Sequence, residues 1–239
     1  MSDDLASAVR EQMAKQTVRR ATRWQDAVRL LLLIEAAAKD PAGDDMEMPP
    51  STVGIVHTQV RLQKLDFWVR NPDYLAYELM TEYTKAPEEK ALLELAGQIL
   101  DSEEPDLRRY PMLRHHYGAF EQLDDALAVL VERGLLSKTQ ILRQQRVAEH
   151  LYFLLQRGRQ VVQSMVEDVP ELAWYADRTR LVVALVDGLG GTQLKNRQYL
   201  LRDYADTPIG EYIAPITDRA RARLAELRAS ADDVDGENS

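Results

Sequence analysis

The stretch from Arg109 to Leu154 constrains the fold more than any other part of the chain. Its middle carries Phe120, Leu123, Leu127, Leu130 and Val131 at helical spacing, which predicts an amphipathic helix with one buried face. Gly134 ends that helix, because glycine takes the left-handed cap conformation without a Cβ clash. Leu135 and Leu136 then lead into two short extended segments, around 138–143 and 147–154, separated by the polar turn Gln144-Gln145-Arg146. A core helix, a Gly-Leu-Leu stop and a hairpin follow one another in the order of a winged helix. The expected fold class is mostly α with a small β-hairpin: a winged-helix-like domain followed by a C-terminal helical unit.

The helix at the centre of this stretch has the wrong sign for a reader of DNA. Between Phe120 and Arg133 the acids are Glu121, Asp124, Asp125 and Glu132, against the base Arg133. Phosphate charge dominates affinity for a duplex, and carboxylates at the groove are repelled by it. A helix of this kind packs on protein, or is the solvated outer face of an ordinary core helix. The formal net charge of −9 over 239 residues points the same way.

At 45% hydrophobic residues the chain can bury a sizeable core. It has no cysteine, which excludes disulfides, thiolate chemistry and zinc-thiolate sites. The first residues, MSDDLASAVREQ, lack the apolar core of a signal peptide. The apolar run at Leu30–Ile34 is too short to cross a bilayer. A soluble, cytoplasmic protein without membrane contact is expected.

In order along the chain, residues 1–22 read as an N-terminal arm with Arg19 and Arg20 close to Arg23. Residues 23–155 read as the winged-helix-like domain with a helical insertion. Thr22 caps a first helix whose faces are nearly all apolar. Ser51 is the expected cap of a second helix, with Val53, Val56, Val60, Phe67 and Trp68 as its buried stripe. Pro72 opens a third helix rich in aromatics, and Pro87 to Leu100 gives a fourth. Residues 156–228 read as the C-terminal helical unit, with Pro170 at the first turn of one helix, Thr192 capping another and Thr207-Pro208 starting a third. Residues 229–239, with Asp232, Asp233, Asp235 and Glu237, read as an acidic disordered tail.

Chemistry-bearing motifs are missing. No GxSxG, HExxH or P-loop pattern occurs, and Gly188-Leu189-Gly190-Gly191-Thr192 lacks the lysine and the preceding strand of a phosphate loop. His115-His116 needs further ligands before it can hold a metal. The expectation is a chain with no catalytic residues, no metal and no cofactor.

Two stretches taken together resemble a known family. YPMLRHHYGAFEQLDDALAVLVERGLL, followed by GGTQLKNRQYLLRDYADTPIGEYI, is similar to the middle component of ABC-three-component, Lamassu-type antiphage defence systems. Leu194-Lys195, Tyr199, Tyr204, Thr207, Gly210 and Glu211 fall in an LK…Y…Y…T…GE pattern like that of the family. The resemblance covers residues 24–216 as a pattern. It implies a non-catalytic adaptor that binds an SMC/Rad50-like ATPase and couples its DNA sensing to an effector subunit, commonly a nuclease. Glu121, Asp124, Asp125, Lys195, Tyr199, Tyr204 and Glu211 are then the protein-interface candidates. Arg114, Lys138, Arg143 and Arg146 are the candidates for weak contact with DNA held by the ATPase. Caps and core tyrosines explain the pattern positions equally well. A different class, a winged-helix transcription regulator, stays open and predicts salt-dependent binding of duplex by the isolated chain.

Overall fold

Thr22 opens the first helix with a reciprocal cap: its hydroxyl accepts from the Gln25 amide at 3.3 Å, and its own N–H donates to Gln25 Oε1 at 2.8 Å. The computed structural model describes residues 22–41, 47–102, 112–115 and 118–237, with side chains up to residue 231. The expected arm at 1–21, with Arg19 and Arg20, lies outside the described residues, as does His116.

The elements in chain order are α1 (Arg23–Ala37), β1 (Thr52–His57), α2 (Gln59–Arg70), α3 (Pro72–Tyr83) and α4 (Lys90–Asp101). There follow β2 (Leu113–His115), β3 (Gly118–Phe120), α5 (Asp124–Glu132), β4 (Leu136–Arg143) and β5 (Arg146–Leu155). The chain continues with α6 (Gln156–Asp168), α7 (Pro170–Leu185), α8 (Gly191–Gln198), α9 (Arg202–Ala205) and α10 (Thr217–Glu237). The protein is mostly helical with small antiparallel sheets. None of the described helices is long and apolar enough to cross a membrane.

Helix α1 is the centre of the core. Leu30 to Ile34 are at most 2% exposed, and the helix packs chiefly against α7 and α5. Burial of each such side chain contributes about 1.5–3 kcal/mol. The main core is one cluster from Ala27 to Leu224, and Ile55, Leu151 and Phe153 form a second, smaller one.

The larger sheet has the order β1-β5-β4, antiparallel throughout. Strand β5 divides its side chains by alternation: Tyr152 and Leu154 enter the main core, while Leu151 and Phe153 meet Ile55 on the other face. The expected helix from Ser51 is therefore a strand followed by a helix. The run Thr52–Val56, β-branched except at Gly54, pairs with β5, and Thr58 caps α2 instead, accepting from the Arg61 amide at 3.1 Å.

The expected central helix is shorter than its periodicity suggests. Phe120 belongs to β3, opposite Leu113, and is 39% exposed; α5 begins at Asp124. Gly134 terminates it as expected, at φ +65°. The Gly134 amide donates to Val131 O and the Leu135 amide to Leu130 O, both at 3.0 Å, which is a Schellman cap.

Further along, Gly190 rather than Thr192 precedes α8, with Gln193 Oε1 accepting from the Gly190 amide at 2.9 Å. No helix starts at Thr207-Pro208; Thr207 instead bonds back to Asp203 O at 2.7 Å behind α9. The expected disordered tail is replaced up to Glu237 by the end of α10. Once a helix is nucleated by packing at Ala220 and Leu224, each added residue costs little.

The β4–β5 turn holds two residues, not three, since Arg146 pairs with Arg143. Gln144 and Gln145 both have positive φ, 50° and 63°, the requirement of a type I′ turn. Glutamine is a poor residue for that region, so replacing the pair with Asn-Gly should raise stability by about 1 kcal/mol. The reading is a higher urea midpoint at unchanged slope.

Candidate functional site

The residues singled out by sequence sort into two internal networks and one exposed end. The first network surrounds α2, which is buried on every side from Arg61 to Arg70 in spite of its polar composition. Arg29 on α1 donates from Nε to Asp66 Oδ1 at 2.8 Å and from Nη1 to Asp26 Oδ1 at 2.6 Å. Arg70 lies 3.6 Å from Asp66 and also pairs with Glu121. Asp66 is 0% exposed, Arg70 3% and Arg29 4%, so these charges sit out of water. Burial pulls the Arg29 guanidinium down, but Asp66 and Asp26 outweigh it and raise it overall. For Arg70, burial and then the neighbouring Arg29 charge win, lowering it to about 10. Glu121 is clamped further by Gln63, whose amide donates to Glu121 O at 2.6 Å and accepts from its N–H at 3.0 Å. Glu121 thus faces inward, toward this network.

The second network gathers Arg114, Lys195, Tyr199, Tyr204 and Glu211, five candidates spread across nearly half the sequence. Arg114 on β2 exchanges main-chain bonds with the segment behind α9: its amide donates to Glu211 O and its carbonyl accepts from Gly210, both at 2.8 Å. Its guanidinium lies 4.9 Å from the Tyr199 ring centre and donates to Tyr199 Oη at 3.2 Å and to Thr207 O. Lys195 Nζ is 5.3 Å from the same ring. Tyr204 is fully buried; its hydroxyl accepts from the Ala119 amide at 2.5 Å and donates to Gln198 Oε1 at 3.1 Å. The LK…Y…Y…T…GE residues therefore tie the β2–β3 hairpin to α8 and α9. The Glu211 side chain remains exposed.

The exposed end is built by α5 and the β4–β5 hairpin. Asp124 and Asp125 stand at the N-terminus of α5, where the helix dipole favours negative charge. Lys138 Nζ is 3.2 Å from Asp124 Oδ1 and 6.0 Å from the Tyr152 ring centre. A surface pair of this kind contributes under about 1 kcal/mol. Arg143 and Arg146 face each other at the hairpin tip, and among the described residues neither forms an ion pair. Beside them Leu142 is 61% exposed and Val147 46%.

Sequence reading missed a buried lysine. Lys64 is 1% exposed and donates to Ala119 O at 3.2 Å. It lines a cleft of about 500 Å³ between the start of α2, β5 near His150 and the start of α8. Burial, and secondarily the Lys195 charge, bring the Lys64 ammonium down to about 7. Its position among Leu62, Leu65 and Phe67 was a signal in principle, but the helix carries polar residues on every turn.

Among the described residues, no three His, Asp or Glu side chains gather as metal ligands. His57 contacts Glu149 at 3.1 Å and His115 lies against Phe120. Neither a protein-family model, nor a curated protein, nor a solved structure matches the chain.

Proposed function

We infer that the chain is a non-catalytic adaptor subunit of a cytoplasmic antiphage defence complex, bridging an SMC-like ATPase and an effector nuclease. The observation that carries this reading is the outer face of α5. It exposes Asp124, Asp125, Ala128, Val131 and Glu132, a mixture of acid and apolar groups suited to a protein partner and unsuited to phosphate. The interlocking of the LK…Y…Y…T…GE residues adds support, since the family-like pattern falls on one structural unit. Within this reading, Arg143 and Arg146 touch the backbone of DNA held by the ATPase, as weak positioning contacts without base readout.

The order helix, strand, helix, then helix and hairpin, with the sheet order β1-β5-β4, favours a second reading, a winged-helix DNA-binding regulator. The two readings differ in what the isolated chain does. The adaptor co-purifies with an ATPase encoded beside it and has little affinity for duplex alone. The regulator binds a specific duplex, with affinity falling steeply as salt rises.

Asp124→Lys with Asp125→Lys tests the α5 face. Both side chains are exposed, so the cost to the fold should stay within about 1 kcal/mol. The yield of the ATPase complex on a sizing column should fall several-fold. Undiminished yield removes α5 from the contact surface.

A further inference from the structure

A half-exposed tryptophan sits at the opening of α1. Trp24 is 46% exposed, and two guanidiniums lie over its ring, Arg23 at 5.5 Å and Arg133 at 5.3 Å from the ring centre. It forms one wall of a groove of about 240 Å³ between α1 and α7, lined also by Val28, Leu32, Leu172 and Tyr175. The groove is apolar inside. Its one charged lining residue, Arg29, is already bound to Asp26 and Asp66. Glu171 precedes Leu172 on α7. The rim at Trp24 is nonetheless basic in a chain of net charge −9, through Arg23 and Arg133. Tryptophan and arginine at the edge of an apolar pocket are the composition that concentrates binding energy at interfaces.

We propose that this groove is the docking site for an amphipathic helix of the ATPase partner, whose apolar stripe is flanked by carboxylates. The apolar residues of the helix enter between α1 and α7, and its acids meet Arg23 and Arg133. The proposal rests on the adaptor reading for the identity of the partner. Its chemistry, an acid-flanked apolar helix, rests on the groove alone. Charge complementarity selects this occupant over a basic helix, and the cation–π contacts of Arg23 and Arg133 place both charges beside the exposed ring.

The test uses the full chain and two synthetic peptides of about 18 residues, each with leucines at helical spacing. One has glutamates flanking the stripe and the other lysines. Binding is followed by anisotropy of the labelled peptide and by the part of the chain's tryptophan emission that is absent from Trp24→Phe, since Trp68 and Trp174 also emit. The glutamate peptide should bind at least about tenfold more tightly than the lysine peptide. Trp24→Ala and Arg133→Glu should each lose about tenfold or more, and Trp24→Phe should retain most of the affinity. Unchanged circular dichroism keeps these losses from being read as unfolding. Equal binding of the two peptides overturns the proposal, as does full affinity in Trp24→Ala. So does failure of both peptides, the result if a second copy or the chain's own residues 1–21 fill the groove. Co-expression with the neighbouring ATPase separates the two levels. If Trp24→Ala loses the peptide but keeps the ATPase, the partner assignment fails. If the unaltered chain captures no ATPase while discriminating the peptides, the adaptor reading fails and the groove's chemistry stands.

Discussion

Replacing Asp66 with alanine should destabilise the protein by about 3–5 kcal/mol, the cost of leaving a buried charge without its partner. Asp66 is the carboxylate shared by Arg29 and Arg70, and all three are nearly or fully buried. Its loss leaves two guanidiniums facing each other out of water, with Asp26 and the half-exposed Glu121 to compensate. Urea denaturation measures the effect as a midpoint shift. A loss below about 1 kcal/mol would mean that water reaches the site when the carboxylate is gone. Converting all three buried charges to apolar residues of similar volume should be far milder than the single change, because desolvation of the ions is then avoided altogether.

Stability should also climb between pH 7 and 9, by about 2 kcal/mol, on account of Lys64. Its folded value near 7 lies well below the ordinary lysine value. In this interval the unfolded chain still holds a proton that the folded chain progressively releases, so raising the pH favours the folded state. Well below pH 7 both states hold the proton and the lysine contributes no slope. The buried hydroxyls of Tyr74, Tyr152 and Tyr204 are raised by burial and act in the opposite direction, but only once unfolded tyrosine begins to ionise at about pH 10. Lys64→Met should flatten the rise. A variant that keeps the full slope would assign it to another group.

What the sequence made legible was local. Caps and stops written in two or three neighbouring residues appear as expected at Thr22, Pro72, Gly134 and Pro170. The hairpin, with its Gly-Leu-Leu approach, is likewise a near-neighbour signal. Strand β1 was hidden because Thr52 to Val56 is a short apolar run, equally consistent with either period until its partner is known. Phe120 fitted the helical spacing of α5, yet it was claimed by a strand whose hydrogen bonds come from β2. The ion network of α2 joins residues 37 and 92 positions apart on Arg29 alone, a distance no periodicity reports. The candidate residues fared by the same logic. Tyr199 and Tyr204 were visible as a pattern, but their place around Arg114 depends on a hairpin 85 residues earlier. Trp24 was read only as part of an apolar helix, because exposure on a groove is a property of what packs opposite.

The pairing of β1 with β5 sets the order in which this protein is able to fold. Thr52 faces Leu155, so roughly 100 residues separate the partners, and α2 to α5 lie between them. Closing so long a loop adds little to the equilibrium cost, but it governs time. During synthesis β1 emerges with its hydrogen-bonding edge bare and must wait until β5 has left the ribosome. A nascent chain halted shortly before Arg146 should therefore bind chaperones that the released chain does not, with the Thr52–His57 segment as the recognised strand.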